Sequence, residues 1–134
     1  MPSVHLPSSA IQHCRARAGI TISQVDEIAH SFDYAPYQKL FSLDPVSAAL
    51  YREVYSKDAL LRLVHREFPG FPPERVHSVN HHLAHAASAY YTSGWDACLV
   101  VVADGMGETH GVSVYQGAHG KLHTLASNPA LGSI

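Results

Sequence analysis

The fold is decided by residues 79–108, which read VNHHLAHAASAYYTSGWDACLVVVADGMGE. Asn80 stands where the residue before a helix is expected, and the small residues after it favour a helix that lies close against a sheet. Gly94 predicts the end of this helix. The apolar run Ala97–Ala103 then predicts a buried strand that delivers Asp104 to its carboxyl end. The segment therefore predicts a helix that begins with histidines and a strand that ends at a carboxylate.

Three histidines open the predicted helix. His81 and His85 are four residues apart, so their rings project from one face of the helix, one above the other. Two imidazole nitrogens and the carboxylate of Asp104 would suit iron, zinc, manganese or nickel, with positions left for an oxygen ligand. On spacing alone, a surface helix with solvated histidines is the commoner explanation. His82 lies beside the pair, which favours a hydrogen-bonding role over ligation.

The loop after Asp104 contains Gly105, Met106, Gly107 and Glu108. Glycines in this place let backbone N–H groups approach anionic oxygens, which would suit a phosphate. Asp-Gly is also a frequent signal for a tight β-turn, and the hairpin predicted after it favours that interpretation to a similar degree. Glu108 is a further candidate ligand or base, although a solvated turn carboxylate is the commoner outcome.

The whole pattern predicts an α/β domain with a mixed sheet and flanking helices. Ser8 or Ser9 would cap the first helix, which Gly19 ends, and a long helix would begin at Asp44-Pro45. Because the last residues stop in an unfinished segment, we expect residues 1–134 to be a single partial domain of a larger protein. The predicted elements are helices over 10–18, 44–68 and 81–93 and strands over 25–32, 75–79, 97–103, 112–116 and 121–125.

Composition limits the possible functions. The 134 residues carry a formal net charge of -2, so no basic surface for nucleic acid is expected. Cys14 and Cys98 belong to no C-x-x-C pair, which argues against a disulfide framework and fits a reducing cytoplasm. A secretory signal and an apolar run of ~20 residues are both missing from the sequence, so a cytoplasmic protein without a membrane partner is predicted.

Two motifs resemble those of the O-carbamoyltransferases of nodulation and antibiotic biosynthesis. They are HHLAHAASAYY at residues 81–91 and DGMGE at residues 104–108. Residues 6–29 are similar to an earlier helix and strand of that family, so the resemblance spans nearly the whole chain. It implies the N-terminal lobe of an actin-like, sugar-kinase-like (ribonuclease H-like) fold.

The resemblance also implies a reaction. Carbamoyl phosphate and ATP would give a carbamoyl-adenylate, whose carbamoyl group passes to a hydroxyl of a sugar or natural product. His81, His85 and Asp104 would hold a divalent metal, iron by resemblance, while the cofactor-binding loop Gly105, Met106, Gly107 and Glu108 would lie near the phosphate or carbamoyl group. A cation there would stabilise negative charge developing on oxygen. The resemblance identifies no catalytic residue.

The sequence also departs from that family. The expected strand-turn with glycine and His-Asp does not precede Leu6, and the second lobe, with most of the adenosine pocket, does not follow Ile134. Thr109-His110-Gly111 replaces the aromatic and threonine residues often found there. We therefore expect the isolated chain to be incomplete for turnover. The alternatives are a hydrogenase-maturation or tRNA-threonylcarbamoyl enzyme of the same fold, and a non-catalytic metal-binding module or truncated remnant.

Overall fold

The computed structural model describes residues 6–105 and 107–129. These residues form two compact units, the first made of residues 6–30 and 34–78, the second of residues 31–33 and the described part of 79–129. The first unit contains α1 (Ser8–Ala18), β1 (Ile28–His30), α2 (Gln38–Phe41), α3 (Pro45–Leu50), a π-helical turn (Tyr51–Tyr55), α4 (Lys57–Glu67) and β2 (Val76–Ser78). The second contains α5 (His81–Ser93), β3 (Ala97–Ala103), β4 (His110–Ala118) and β5 (Lys121–Pro129).

Helix α1 ends as its sequence predicts but begins differently. Gly19 adopts the left-handed conformation, with φ of 66°, and ends the helix. The predicted serine cap is wrong, because α1 begins at Ser8 itself after Pro7. The Ser8 hydroxyl instead donates a hydrogen bond of 2.9 Å to the carboxylate of Glu67.

The long helix predicted over 44–68 is interrupted. Asp44 caps α3 as predicted, since its side chain accepts from the backbone N–H groups of Val46 and Ser47, both at 2.9 Å. Ser56 then takes an extended conformation and caps α4, with its hydroxyl oxygen accepting from Ala59 N at 3.1 Å. The apolar spacing continues across this break, but Val46 is 78% exposed, so the two helices do not share one buried stripe.

The first unit has its own small core. Strands β1 and β2 pair in parallel, with Ile28 opposite Val76. Val76 is fully buried and clusters with three residues around α4, namely Leu60, Val64 and Phe68. The buried stripe of α4 therefore stabilises this two-stranded sheet through apolar contact.

The second unit is a three-stranded antiparallel sheet with α5 on one face. The strand order is β3-β4-β5, and His119 and Gly120, both with positive φ, form the two-residue turn between β4 and β5. The helices and strands confirm the α/β class. The prediction of a single mixed sheet is wrong, because the described strands form one parallel pair and one separate antiparallel sheet.

Helix α5 lies against the sheet through small and aromatic residues. Ala86 is fully buried beside Val102 and Tyr115, which explains the small residue at this position of the helix. Strand β3 is only half covered, since Leu99 and Val101 on its other face are 66% and 65% exposed. The prediction of a fully buried strand is therefore wrong.

No helix in the described ranges combines the length and the apolar character that crossing a membrane requires.

Candidate metal centre

The structure brings the three predicted ligands together. One nitrogen each of His81 and His85 and one carboxylate oxygen of Asp104 all lie within 4.8 Å of one another. The Nε2 atoms of the two histidines are 3.1 Å apart, and His81 Nε2 lies 2.8 Å from Asp104 Oδ2. The cluster lies wholly within the second unit.

Local sequence explains how each of these side chains is positioned. Asn80 caps α5, with its side-chain oxygen accepting from Leu83 N at 3.0 Å, so His81 is the first helical residue. His85 follows one turn later on the same face. Asp104 directly follows β3, the strand against which α5 lies. A helix start and a strand end thus meet at one edge of the sheet.

The ring of His81 is held from two sides. Its Nδ1 lies 3.0 Å from the carbonyl oxygen of Ser31, and its plane stacks on Phe32 with ring centres 4.3 Å apart. Because a carbonyl oxygen only accepts, Nδ1 carries the proton of this bond. In the neutral ring, the lone pair of Nε2 therefore points toward Asp104 and His85, as in many metal-binding histidines.

The charges of the cluster favour a cation. The hydrogen bond of 2.6 Å from Gly105 N, and after it the bond to His81, lower the pKa of the Asp104 carboxyl. Asp104 is therefore an anion that faces the lone-pair side of the His81 ring. Two acceptors at 2.8 Å repel unless a proton or a metal ion lies between them. Two imidazoles and one carboxylate are a donor set that fits Fe(II) or Zn(II).

The cluster is open on one side. The side chain of His81 is 15% exposed, whereas that of His85 is 53% exposed. A groove of about 270 Å³ runs from His85 and Asp104 along β3. Three protein donors beside an open groove leave room for a further oxygen ligand, as catalytic metal sites require.

His82 points away from the cluster and is 1% exposed. Its Nδ1 lies 2.7 Å from the hydroxyl of Ser113, and its Nε2 has no hydrogen-bond partner among the described residues. Burial lowers the pKa of the ring, so it favours the neutral form. A Cβ on Gly107 would lie 3.0 Å from its Cδ2, which explains the glycine there. The hydrogen-bonding role expected for His82 agrees with this geometry.

Two backbone N–H groups of the glycine loop already donate hydrogen bonds within the chain. Gly105 N donates to Asp104, and Gly107 N donates to His110 O at 3.0 Å. A phosphate at this loop would have to displace these bonds or use other donors. The cofactor role of Gly105 and Gly107 stays a prediction, and Met106 lies outside the described residues.

Glu108 differs most from its sequence-based interpretation. The expectation of a solvated turn carboxylate is wrong, because Glu108 is only 7% exposed. Its Oε1 accepts from Asp33 N at 2.7 Å and from His81 N at 2.9 Å, and its Oε2 accepts from Asn80 Nδ2 at 2.8 Å. No local pattern predicts these bonds, since the donors lie 27 to 75 residues away along the chain. Whether Glu108 also contacts a cofactor stays a prediction.

Comparisons with known proteins agree with the motif resemblance at a coarse level. No family model matches the chain. Nodulation protein NolNO of Sinorhizobium fredii is 31% identical over 96% of this chain and 19% of its own length. Uncharacterized protein sll1178 of a Synechocystis strain is 29% identical over 87% of this chain and 22% of its own length. The chain is thus similar to a nodulation protein over nearly all its residues, and it spans about a fifth of the length of these relatives.

Proposed function

We propose that the chain supplies the metal-binding part of an O-carbamoyltransferase. In this reaction the carbamoyl group of carbamoyl phosphate passes, through a carbamoyl-adenylate made with ATP, to a hydroxyl of a sugar or natural product. The observation that carries the proposal is the convergence of His81, His85 and Asp104 within the two motifs that resemble the family. The similarity to a nodulation protein supports it.

The residues of the chain have defined tasks in this proposal. His81, held by Ser31 and Phe32, presents Nε2, while Asp104 adds a negative charge and His85 completes the donor set. A divalent ion, iron by resemblance, supplies positive charge that stabilises negative charge developing on a substrate oxygen. The groove beside His85 admits that oxygen from the solvent side.

The remaining parts of the proposal concern the longer protein. We propose that residues 1–134 belong to one partial lobe of an actin-like fold, and that a second lobe supplies most of the ATP site and the acceptor site. The share of the relatives that the chain covers supports this division, because four fifths of their length lies elsewhere. The same lobe would also suit a hydrogenase-maturation or tRNA-threonylcarbamoyl enzyme.

A metal-binding module without catalysis is the second candidate. All three ligands lie in the second unit, and so do the groups that hold His81, which favours this candidate. Carbamoyl-phosphate-dependent release of pyrophosphate from ATP, measured in the longest natural polypeptide that contains this chain, separates the two candidates. Release supports the transferase, and a folded, metal-loaded protein without release supports the module.

Metal analysis tests the site directly. The chain is loaded with Fe(II) under anaerobic conditions, desalted and analysed beside the His81→Ala, His85→Ala double variant. A matched control replaces His13 and His123, both exposed, and removes the same number of imidazoles. We expect one ion per chain in the parent and the control, and a loss in the test variant. Equal metal content in all three proteins would exclude the cluster as the binding site.

A further inference from the structure

The buried carboxylate of Glu108 joins two segments that both hold His81. The first is residues 31–33, from which Ser31 O bonds the ring, Phe32 stacks on it and Asp33 N donates to Glu108. The second is the start of α5, from which Asn80 Nδ2 and His81 N donate to the same carboxylate. Glu108 is therefore the common acceptor of the segment beside the ring and of the backbone that carries the ring.

Capping of the helix does not account for this arrangement. The side chain of Asn80 already caps α5 through its bond to Leu83 N. The carboxylate adds favourable charge at the helix start, but its second backbone donor, Asp33 N, belongs to no helix. What Glu108 supplies in addition is a fixed distance between residues 31–33 and the first residue of α5.

We propose that Glu108 is a positioning residue for the metal centre, which rests on the metal site of the proposed function. By holding residues 31–33 against the start of α5, it keeps Ser31 O on Nδ1 of His81. That bond keeps the proton on Nδ1 and leaves Nε2 to the ion. Glu108 itself acts at a distance, since both of its oxygens accept hydrogen bonds from the protein.

Two conservative variants separate the effect of side-chain length from the effect of charge at position 108. Glu108→Gln keeps the length and one oxygen, which can still accept from Asp33 N and His81 N, but its amide nitrogen cannot accept from Asn80 Nδ2. Glu108→Asp keeps the charge but is one methylene shorter, so it cannot hold both donors at their present distances. Asp96→Asn, a change at an exposed carboxylate of the same unit, is the control.

The first readout is the ring of His81 in the metal-free protein, followed by ¹⁵N NMR. We expect the parent, the control and Glu108→Gln to show Nδ1 protonated and hydrogen-bonded to Ser31 O, and Glu108→Asp to lose this signature of the Nδ1 proton. The second readout is Co(II) affinity by chelator competition. We expect Glu108→Asp to bind about 10- to 100-fold more weakly, the range typical of lost support around a ligand, and Glu108→Gln to lose less.

Each other outcome has a defined meaning. An unchanged Nδ1 signal and an unchanged affinity in Glu108→Asp would overturn the positioning role. If the parent protein binds no Co(II), the proposed metal site fails, while the comparison of the Nδ1 signal in the metal-free protein still decides the role of Glu108. Circular dichroism on each variant verifies that the fold is intact.

Discussion

Replacement of Gly117 by alanine should destabilise the second unit strongly. The added Cβ would lie 2.6, 2.8 and 2.9 Å from three carbons of the Tyr90 ring, well inside van der Waals contact. The ring is 4% exposed and cannot swing away freely. Its hydroxyl donates to Asp96 O and accepts from Gly120 N, both at 3.1 Å, so a displaced ring would lose both bonds.

The expected cost combines two effects. Overfilling a packed position costs about 1 to 3 kcal/mol, and each lost hydrogen bond of Tyr90 adds roughly 1 kcal/mol. We therefore expect the free energy of unfolding to fall by about 3 to 5 kcal/mol. At about 4 °C per kcal/mol for a domain of this size, Tm falls by roughly 12 to 20 °C.

Urea unfolding followed by tryptophan fluorescence measures this change. Trp95 is the single tryptophan of the chain and lies between α5 and β3, so its emission reports on the second unit. Gly105→Ala is the control, because a Cβ there meets nothing within 4 Å. In a Tyr90→Leu background the smaller side chain should reduce the cost of Gly117→Ala. A Gly117→Ala protein as stable as the parent, or an equal cost in both backgrounds, would refute the steric argument.

Three further predictions concern stability. Burial lowers the pKa of His82 below its unfolded value of about 6.5. The neutral ring therefore stabilises the fold above pH 6.5, and this stability is lost as pH falls toward the folded pKa. The urea midpoint of His82→Gln should fall less steeply than that of the parent between pH 8 and 5.5, and equal slopes would contradict this. Ser56→Ala removes the cap of α4 and should cost about 1 kcal/mol, measured by circular dichroism against Ser127→Ala, a change at an exposed serine of β5. Fe(II) or Co(II) at 100 times its dissociation constant should raise the stability of the parent by about 2.7 kcal/mol, and an equal rise in the His81→Ala, His85→Ala variant would place the ion elsewhere.

The starts and ends of helices could be predicted from the sequence where the residues responsible act within a few positions. Asn80 and Asp44 cap the helices that follow them, and Gly19 and Gly94 end helices in the left-handed conformation, as predicted. Each of these residues acts on backbone groups within one helical turn, which is why its effect does not depend on the rest of the fold.

Features that depend on contacts between distant residues could mostly not be predicted from the sequence. The spacing of apolar residues through 44–68 continues across Ser56, and only the extended backbone there shows that it caps a second helix. How the strands divide into sheets depends on pairing between distant segments, which periodicity does not encode. The burial of Glu108 depends on donors from residues 33 and 80–81. The cluster is the exception, because the sequence predicted His81, His85 and Asp104 together and the structure brings them within 4.8 Å of one another, while binding of an ion stays a prediction.

Residues 31–33 belong to the same compact unit as the histidine cluster, so a shortened gene without them does not encode the whole surroundings of that cluster. A coding sequence that began at residue 79 would retain every histidine and aspartate of the cluster, and a motif search would score it as intact. It would nevertheless lack Ser31 and Phe32, which contact the His81 ring from outside the motif. Surveys that count such genes by the histidine motif alone would therefore overestimate how many products keep this ring in its present orientation.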